Sequence, residues 1–557
     1  MLNRTVFAPV KLQVENEIQL DAPGASERFS DMENHHDISS FKRFLHLGIE
    51  KGVYKSAMSH TYPTTLEQSF TTKLTRNGNG AELINIIKST CKDPSFCQSA
   101  GVYALAVCDT SSNALVVNKA HKLLNVVCTT PHAILQFVAA CERLTKKPFN
   151  TTGWGRSRRS AIQQWYSNKP SSEIAYAVTS CKTYQHWSHK DLLKLCHINP
   201  SNDLCCDILC SYIMKGFSKT KDRFSKEVCD TPDAQELFDL LEAVRRVKLS
   251  KPEEVVATAS LISKYKMAWG HVPCHLQNDQ MLWRKLLSEI SLPVLLQNLP
   301  RIHAKKMVEK EDLWSKVLLQ RLLNVNDIQQ SGIHPCCWLY HHHEYKLGKK
   351  IKKKYRWEPD AEVLSALEVA FYISLKGVRP TQKRIFVTVS TSMKGKVLHW
   401  NQVPCQTFAV AFCLAMAQTE PHAQIYPFAK KWSEIEIKED MLSVAQSKFE
   451  KIPVQYGSPD LARPLIRAKK DKKEIDTFIV ITDDKVAKPT GNKTTTLDAL
   501  AQYREVMKIP ARLIVLALSS EKDLIPLELR QDNGVLSISG FNERVPNIIH
   551  DFILEKF

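Results

Sequence analysis

Between Gly153 and Pro200 the chain is basic and aromatic at once, reading GWGRSRRSAIQQWYSNK, then a helical segment, then YQHWSHKDLLKLCHINP. The chemistry that such groups offer is phosphate recognition. A helix through the first half sets Arg156, Arg159 and Gln163 three and four residues apart on one side, while Ile162, Trp165 and Tyr166 occupy another. One side packs and the other faces a partner. In the second half Ser188 stands three residues before Asp191 and just ahead of Leu192, Leu193 and Cys196, the pattern of a capped helix start. His189 and Lys190 then fall in the first turn. Free backbone N–H groups and the positive end of the helix dipole lie there, and an imidazole plus an ammonium would add donors for a phosphate. Basic helices are also common as plain solvated surface. For each of these residues taken singly, solvated surface and direct RNA contact stand side by side.

A second candidate site lies near the C-terminus. The strand Ile385 to Val389 runs on into TVSTSM, so Ser390 and Ser392, two apart, point the same way at its carboxyl end, where open α/β sheets bind ligands. A later strand ends in Thr482, Asp483 and Asp484. Two hydroxyls and a carboxylate there suit a hard cation such as Mg²⁺. Serine and aspartate also end strands simply because they favour turns, and that reading remains beside the first.

The elements that must position these groups fall into two kinds. Residues 1–40 mix charges, prolines and short apolar pairs without a period and read as a mobile arm. From Phe41 the apolar spacing becomes helical and stays so, through Leu83, Ile84, Ile86 and Ile87, then Leu115, Val116, Val117, Leu123, Leu124 and Val126, then Ile134, Leu135, Phe137 and Val138, and later Leu292 to Leu299. Paired helices without strands predict a HEAT-type solenoid with degenerate repeats over 41–378. The tract YKLGKKIKKKYR, from Tyr345 to Arg356, is either a solvated loop or a phosphate-facing segment. The character changes after Gly377. Strands at KRIFVTVS, AQIYPFA, DTFIVITDD, ARLIVLALS and VLSIS alternate with helices and predict a parallel α/β sheet, a separate domain over 379–557.

Composition agrees with a polyanionic partner. Lysine and arginine number 76 against 58 acidic residues, a formal charge of +18, and the sequence pI is about 9.1. The 16 cysteines form no C-x-x-C pair, and Cys205, Cys206 and Cys210 have no second cluster at zinc-ligand spacing, so they read as reduced thiols. The longest apolar run, Phe408 to Ala417, is about half of a membrane span, and the first twenty residues lack a signal-peptide core. A cytoplasmic protein, also nuclear, without a membrane partner is expected.

Several segments together resemble the TROVE family: FKRFLHLGIEKGVY at 41–54, GWGRSRRSAIQQWY at 153–166, WSHKDLLKLCHINP at 187–200, WRKLLSEISLPVLLQNL at 283–299 and YRWEPDAEVLSALEVAFY at 355–372. The resemblance implies a ring of HEAT-like helices closed by a von Willebrand factor A-like α/β domain. It implies no catalysis. Small noncoding Y RNAs would bind a basic outer surface, and single-stranded ends of misfolded RNAs would enter the central hole for quality control. A histidine of the WSHKDLL segment matters for Y RNA in that family, which carries over to His189. Arg156, Arg158, Arg159, Lys182 and Lys190 lie in the same segments. The resemblance does not say which of them touches RNA. The A-domain metal motif, D-x-S-x-S, here runs Thr388, Val389, Ser390, Thr391, Ser392, so its leading aspartate is missing. The next ligand threonine is displaced to Ser458 or Pro459, while Asp483 remains. A site of Ser390, Ser392 and Asp483 is therefore expected to hold Mg²⁺ weakly or not at all.

The leading expectation is a monomeric RNA-binding ribonucleoprotein subunit that is not an enzyme. A second is a protein-interaction scaffold gripping a partner through a cation in the A domain, which needs an intact ion site. A hydrolase using Asp483 and Asp484 has no supporting spacing: the chain holds no H-E-x-x-H, no G-x-S-x-G and no P-loop.

Overall fold

The computed structural model describes residues 37–49, 53–57, 62–63, 70–75, 80–149, 154–197, 203–228, 231–309, 312–349, 356–398, 403–429, 432–454, 459–483, 486, 494–520 and 524–557. The chain divides into two compact units, Met1–Glu50 with Ser59–Leu286, and Lys51–Met58 with Leu287–Phe557. Of the expected arm, 1–36 lie outside the described residues, and 37–40 already belong to a helix that runs to 47.

In the first unit, helix Gln98–Asp109 has almost no polar face, and Ala100 to Asp109 are buried without interruption. An element apolar all round has to be covered all round. Helices Pro131–Phe149 and Ala114–Lys122 both pack on it, and the latter also packs on Arg156–Ser167. Arg156–Ser167 in turn packs on His189–Cys196, which packs on Leu204–Lys215. Leu83, Ile87, Leu105, Ile134, Phe137, Ile162, Trp165 and Leu192 share one core. Of the expected apolar series, Leu115 is 71% exposed and Val126 45%, and neither joins this core. The expectation of helices without strands also fails, in this unit at a hairpin. Thr183–Tyr184 (β2) and Trp187–Ser188 (β3) pair antiparallel, with Gln185 at φ 52° in the turn between them.

The second unit is built on a six-stranded parallel sheet. Tyr54–Lys55 (β1), Ile385–Ser390 (β4), Ala423–Phe428 (β5), Thr477–Thr482 (β6), Arg512–Ala517 (β7) and Val535–Ser539 (β8) take the order β1-β8-β7-β6-β4-β5. Every residue of β4, β6 and β8 is buried. That is why these strands read as continuous apolar runs rather than alternating ones. In β4 and β6 Val389 lies level with Ile481, so Ser390 and Thr482 end the two strands side by side. Helix Cys405–Thr419 is buried from Phe408 to Ala417. Its second cover is helix Pro335–Lys346, which packs on it; the last helices before Gly377 thus belong to this unit. Lys350 to Tyr355 of the basic tract lie outside the described residues, and Tyr345 is fully buried. No described helix is long and apolar enough to cross a membrane.

The sheet edge at β8 is closed by β1, from far earlier in the chain. Tyr54 and Lys55 lie level with Ile538 and Ser539, Ser56 N donates to Ser539 O at 2.9 Å, and Asn542 Nδ2 donates to Ser56 O at 2.8 Å. Gly540 permits this approach. It has φ +75°, and a Cβ there would run into Ser56 Oγ. Gly540→Ala is therefore expected to unpin 53–57 from β8 at a cost of about 1–2 kcal/mol. Faster amide exchange at Ser56, with β6 and β7 unaffected, is the readout; unchanged protection would show that the clash is relieved locally.

Candidate nucleic-acid interface

Helix Arg156–Ser167 starts at Gly155 without a side-chain cap, so its first backbone N–H groups have no side chain to satisfy them. Arg156, Arg158 and Arg159 all fall in that first turn. Cations at the positive end of a helix dipole oppose helix formation. Each of the three meets this differently. Arg156 is exposed. Arg158 is turned inward, donating through Nε to Asp109 Oδ2 at 2.8 Å and pairing with the same oxygen through its terminal nitrogen. Arg159 is half-buried, and its Nε is buried without a hydrogen-bond partner.

Asp109 is the hub that fixes this turn. It is almost fully buried, and its other oxygen takes His121 Nε2 at 2.5 Å, while His121 Nδ1 meets Ser157 Oγ at 2.7 Å. One carboxylate thus ties three helices together. Burial alone would raise its pKa, but the His121 hydrogen bond and the Arg158 guanidinium outweigh that and hold it below the usual carboxylate value.

The packing side of the helix is as the spacing predicts, with Ile162 and Trp165 fully buried. Trp165 Nε1 donates to Cys128 O at 2.7 Å. Gln163 does not face outward with the arginines. Its Nε2 donates to Cys196 O at 2.7 Å, at the end of the neighbouring helix. That neighbour, His189–Cys196, has the expected capping box: Ser188 Oγ accepts from Asp191 N while the Asp191 side chain accepts from Ser188 N.

His189 departs from the sequence expectation. It lies in the first turn, yet it is 3% exposed and offers no donor to solvent. Tyr166 Oη and His189 Nδ1 are 2.6 Å apart. Burial raises the Tyr166 pKa well above its usual value, so the phenol keeps its proton and the contact is a hydrogen bond between the neutral hydroxyl and the ring. Burial pushes the His189 pKa down to about 4, against a smaller upward pull from the Cys181 backbone. The ring is a neutral spacer between two helices. Exposed cations of this segment include Lys190, one residue on, Lys194 in the same helix, and Lys182 at the start of the hairpin.

The hairpin is itself anchored. Trp187 Nε1 donates to Glu142 Oε2 at 3.0 Å, and the Trp154 and Trp187 rings lie 5.8 Å apart. Sequence reasoning missed three residues here. Asp109 and His121 carry no local pattern, apart from a lone carboxylate ending an apolar helix. Lys248, from helix Pro232–Leu249, donates to Thr179 O at 2.6 Å. Burial first and the neighbouring Lys182 second lower its pKa to about 8. Gly153 and residues 198–200 lie outside the described residues.

In the second unit the two hydroxyls of the candidate ion site do converge: Ser390 Oγ and Ser392 Oγ are 2.8 Å apart. Asp483 is buried, with Lys396 Nζ 3.4 Å from Oδ2. Thr388 is fully buried and donates to Ile479 O at 3.3 Å. Among the described residues there is no group of three His, Cys, Asp or Glu side chains that could hold a metal. Asp484 and Ser458 lie outside those residues; Pro459 is buried.

A largely helical unit and an all-parallel α/β sheet in one chain define a class: helical proteins that carry an A-type domain. The TROVE domain model matches residues 26–353 and the Ro60 vWA domain model residues 384–553. The chain belongs to the TROVE family. It is similar to the RNA-binding protein RO60 of Caenorhabditis elegans, 26% identical over 583 residues that cover 93% of this chain and 88% of that protein. It is likewise similar to the RNA-binding protein RO60 of Deinococcus radiodurans, 26% identical over 525 residues covering 93% and 92% of the two chains. The crystal structure of the Deinococcus radiodurans RO (RSR) protein shares the fold, with a TM-score of 0.79 at 24% identity, covering 94% of this chain and all of that one.

Proposed function

We propose that this chain is the RNA-binding protein of a Ro-type ribonucleoprotein. It acts as a monomer without enzymatic turnover, in the cytoplasm, the nucleus or both. Small noncoding RNAs of the Y RNA kind bind the basic surface that carries Arg156, Lys182 and Lys190, and single-stranded ends of misfolded noncoding RNAs are also taken, for RNA stability and quality control. The observation that carries this reading is the first turn of helix Arg156–Ser167. Arg156 and Arg159 stand there against the helix dipole with no side-chain cap, Arg158 being already paired with Asp109, an arrangement that a phosphate bound at the exposed Arg156 would relieve. The names of the two relatives support the same partner. His189 and Arg158 serve as positioning residues, the first by spacing the two helices and the second by pinning the turn to Asp109. Arg159 stands between the two roles.

Phosphate contacts make affinity fall with salt, with a log–log slope of roughly 0.7 to 0.9 per phosphate neutralised. The triple variant Arg156→Gln, Lys182→Gln, Lys190→Gln is expected to bind a stem RNA with a single-stranded 3′ end more weakly and to lower that slope by roughly two. Its helical circular dichroism should not change, because all three side chains are exposed. An unchanged slope with intact helices would remove RNA from this surface. RNA cleaved by the purified wild-type protein in Mg²⁺ would overturn the non-enzymatic reading.

A further inference from the structure

The A-type fold implies a divalent cation at the carboxyl ends of β4 and β6, and the residues present here do not fit one. Thr388 stands where the motif has its aspartate, and its hydroxyl is committed to the Ile479 carbonyl. Ser390 and Ser392 are bonded to each other. The one carboxylate among these positions, Asp483, already faces an ammonium, Lys396 Nζ. Among the described residues, a divalent ion entering this place would meet the Asp483 carboxylate and the Lys396 ammonium together, where hard cations need an excess of anionic oxygen.

Lys396 is held in position by its own backbone. Gly395, at φ +79°, turns the chain after β4. Lys396 N then donates to Met393 O at 3.1 Å, and Lys396 O accepts from Cys405 N at 2.9 Å, at the start of the next helix. Val397 and Pro404 pair as an antiparallel bridge beyond it. The lysine stem therefore leaves from a fixed point and delivers its charge to the end of β6.

We propose that Lys396 is the resident cation of this site, a tethered ammonium in the place of the divalent metal, so that the A-type domain of this chain is independent of metal. Its carboxylate is neutralised by the protein itself. A partner that docks through a shared divalent ion has nothing to bind here, which separates this chain from metal-dependent A domains.

Mn²⁺ is the probe, measured by equilibrium dialysis and by the loss of its free-ion electron paramagnetic resonance signal, on the full chain. Wild type is expected to show no saturable binding below on the order of 1 mM, the weak end of the biological range for such oxygen-ligand sites. Thr388→Asp with Lys396→Ser restores the carboxylate and removes the ammonium, and should bind Mn²⁺ at least about tenfold more tightly. Adding Asp483→Asn should abolish the gain. Saturable micromolar binding by wild type overturns the proposal, as does a folded double variant that gains nothing. If the double variant does not fold, Lys396→Met decides: raised Mn²⁺ affinity that Asp483→Asn removes supports the tethered cation, and unchanged affinity overturns it.

Discussion

Asp109→Ala is expected to destabilise the first unit by about 3–5 kcal/mol, the cost of leaving a buried cation without its counter-ion. The Arg158 side chain is 13% exposed and that of Asp109 2%. Truncating the carboxylate strands the guanidinium and at the same time removes the acceptor of His121 Nε2. Asp109→Leu combined with Arg158→Met should recover most of the loss, since replacing both partners by apolar groups of similar volume is often neutral. The two units need not unfold in one transition, so denaturant unfolding is best read through amide exchange in helix Arg156–Ser167. RNA affinity should fall with the single variant, because the turn that carries Arg156 loses its anchor. The pH dependence has a definite sign. The folded pKa of Asp109 is depressed, so its contribution is fully present above the ordinary carboxylate value and is lost as pH falls through the lower folded value. A single variant costing less than about 1 kcal/mol, the scale of an exposed pair, would mean that Arg158 finds another partner.

The parts of this interface legible in the sequence are those with a local cause. The capping box needs only Ser188 and Asp191, three residues apart, and the burial of Ile162 and Trp165 follows from helical period. The outward donor expected of His189 fails because position in the first turn does not fix direction. The neighbouring helix supplies Tyr166, and the ring turns toward it. The Asp109–His121–Arg158 network joins three helices across a sequence gap with no period of its own. Gln163 shows the same limit from the other side, sharing a spacing with the arginines while its amide is used by the end of the next helix.

The second unit was the more legible, since strands buried on both faces must be apolar throughout. Strands β4 to β8 fall where such runs occur. Two residues of β1 can show no alternation, and the close approach that fixes them depends on a glycine far along the chain. Helix Ala462–Lys470 also went unread, with Pro464 near its start and basic residues ending it. At the sheet edge, the two-residue spacing of Ser390 and Ser392 announced their convergence. Lys396 did not announce itself, because a long side chain on a turn can end anywhere within its reach.

Between pH 6.5 and 4, buried His189 should make the first unit less stable by about 3 kcal/mol in total. Above the ordinary histidine value the ring is neutral in both states and contributes no slope. Below it the unfolded chain takes up a proton that the folded chain refuses, since burial holds the folded pKa near 4. Stability therefore falls as pH falls through this window, and the slope ends once the folded ring also protonates. His189→Gln should flatten the curve. At neutral pH the variant loses the Tyr166 hydrogen bond and about 1 kcal/mol with it, so the two curves are expected to cross on the acid side. His334 supplies an internal comparison in the second unit. Burial first, and His550 second, also bring it to about 4, and its Nδ1 accepts from Cys336 N at 3.2 Å as a helix cap, which requires the neutral ring. His334→Gln should change the acid slope of exchange in helix Pro335–Lys346 and leave helix His189–Cys196 as in wild type, while His189→Gln should do the reverse. Parallel curves for wild type and His189→Gln across this window would show that the buried ring is not held neutral, and its role as a neutral spacer between the two helices would have to be given up.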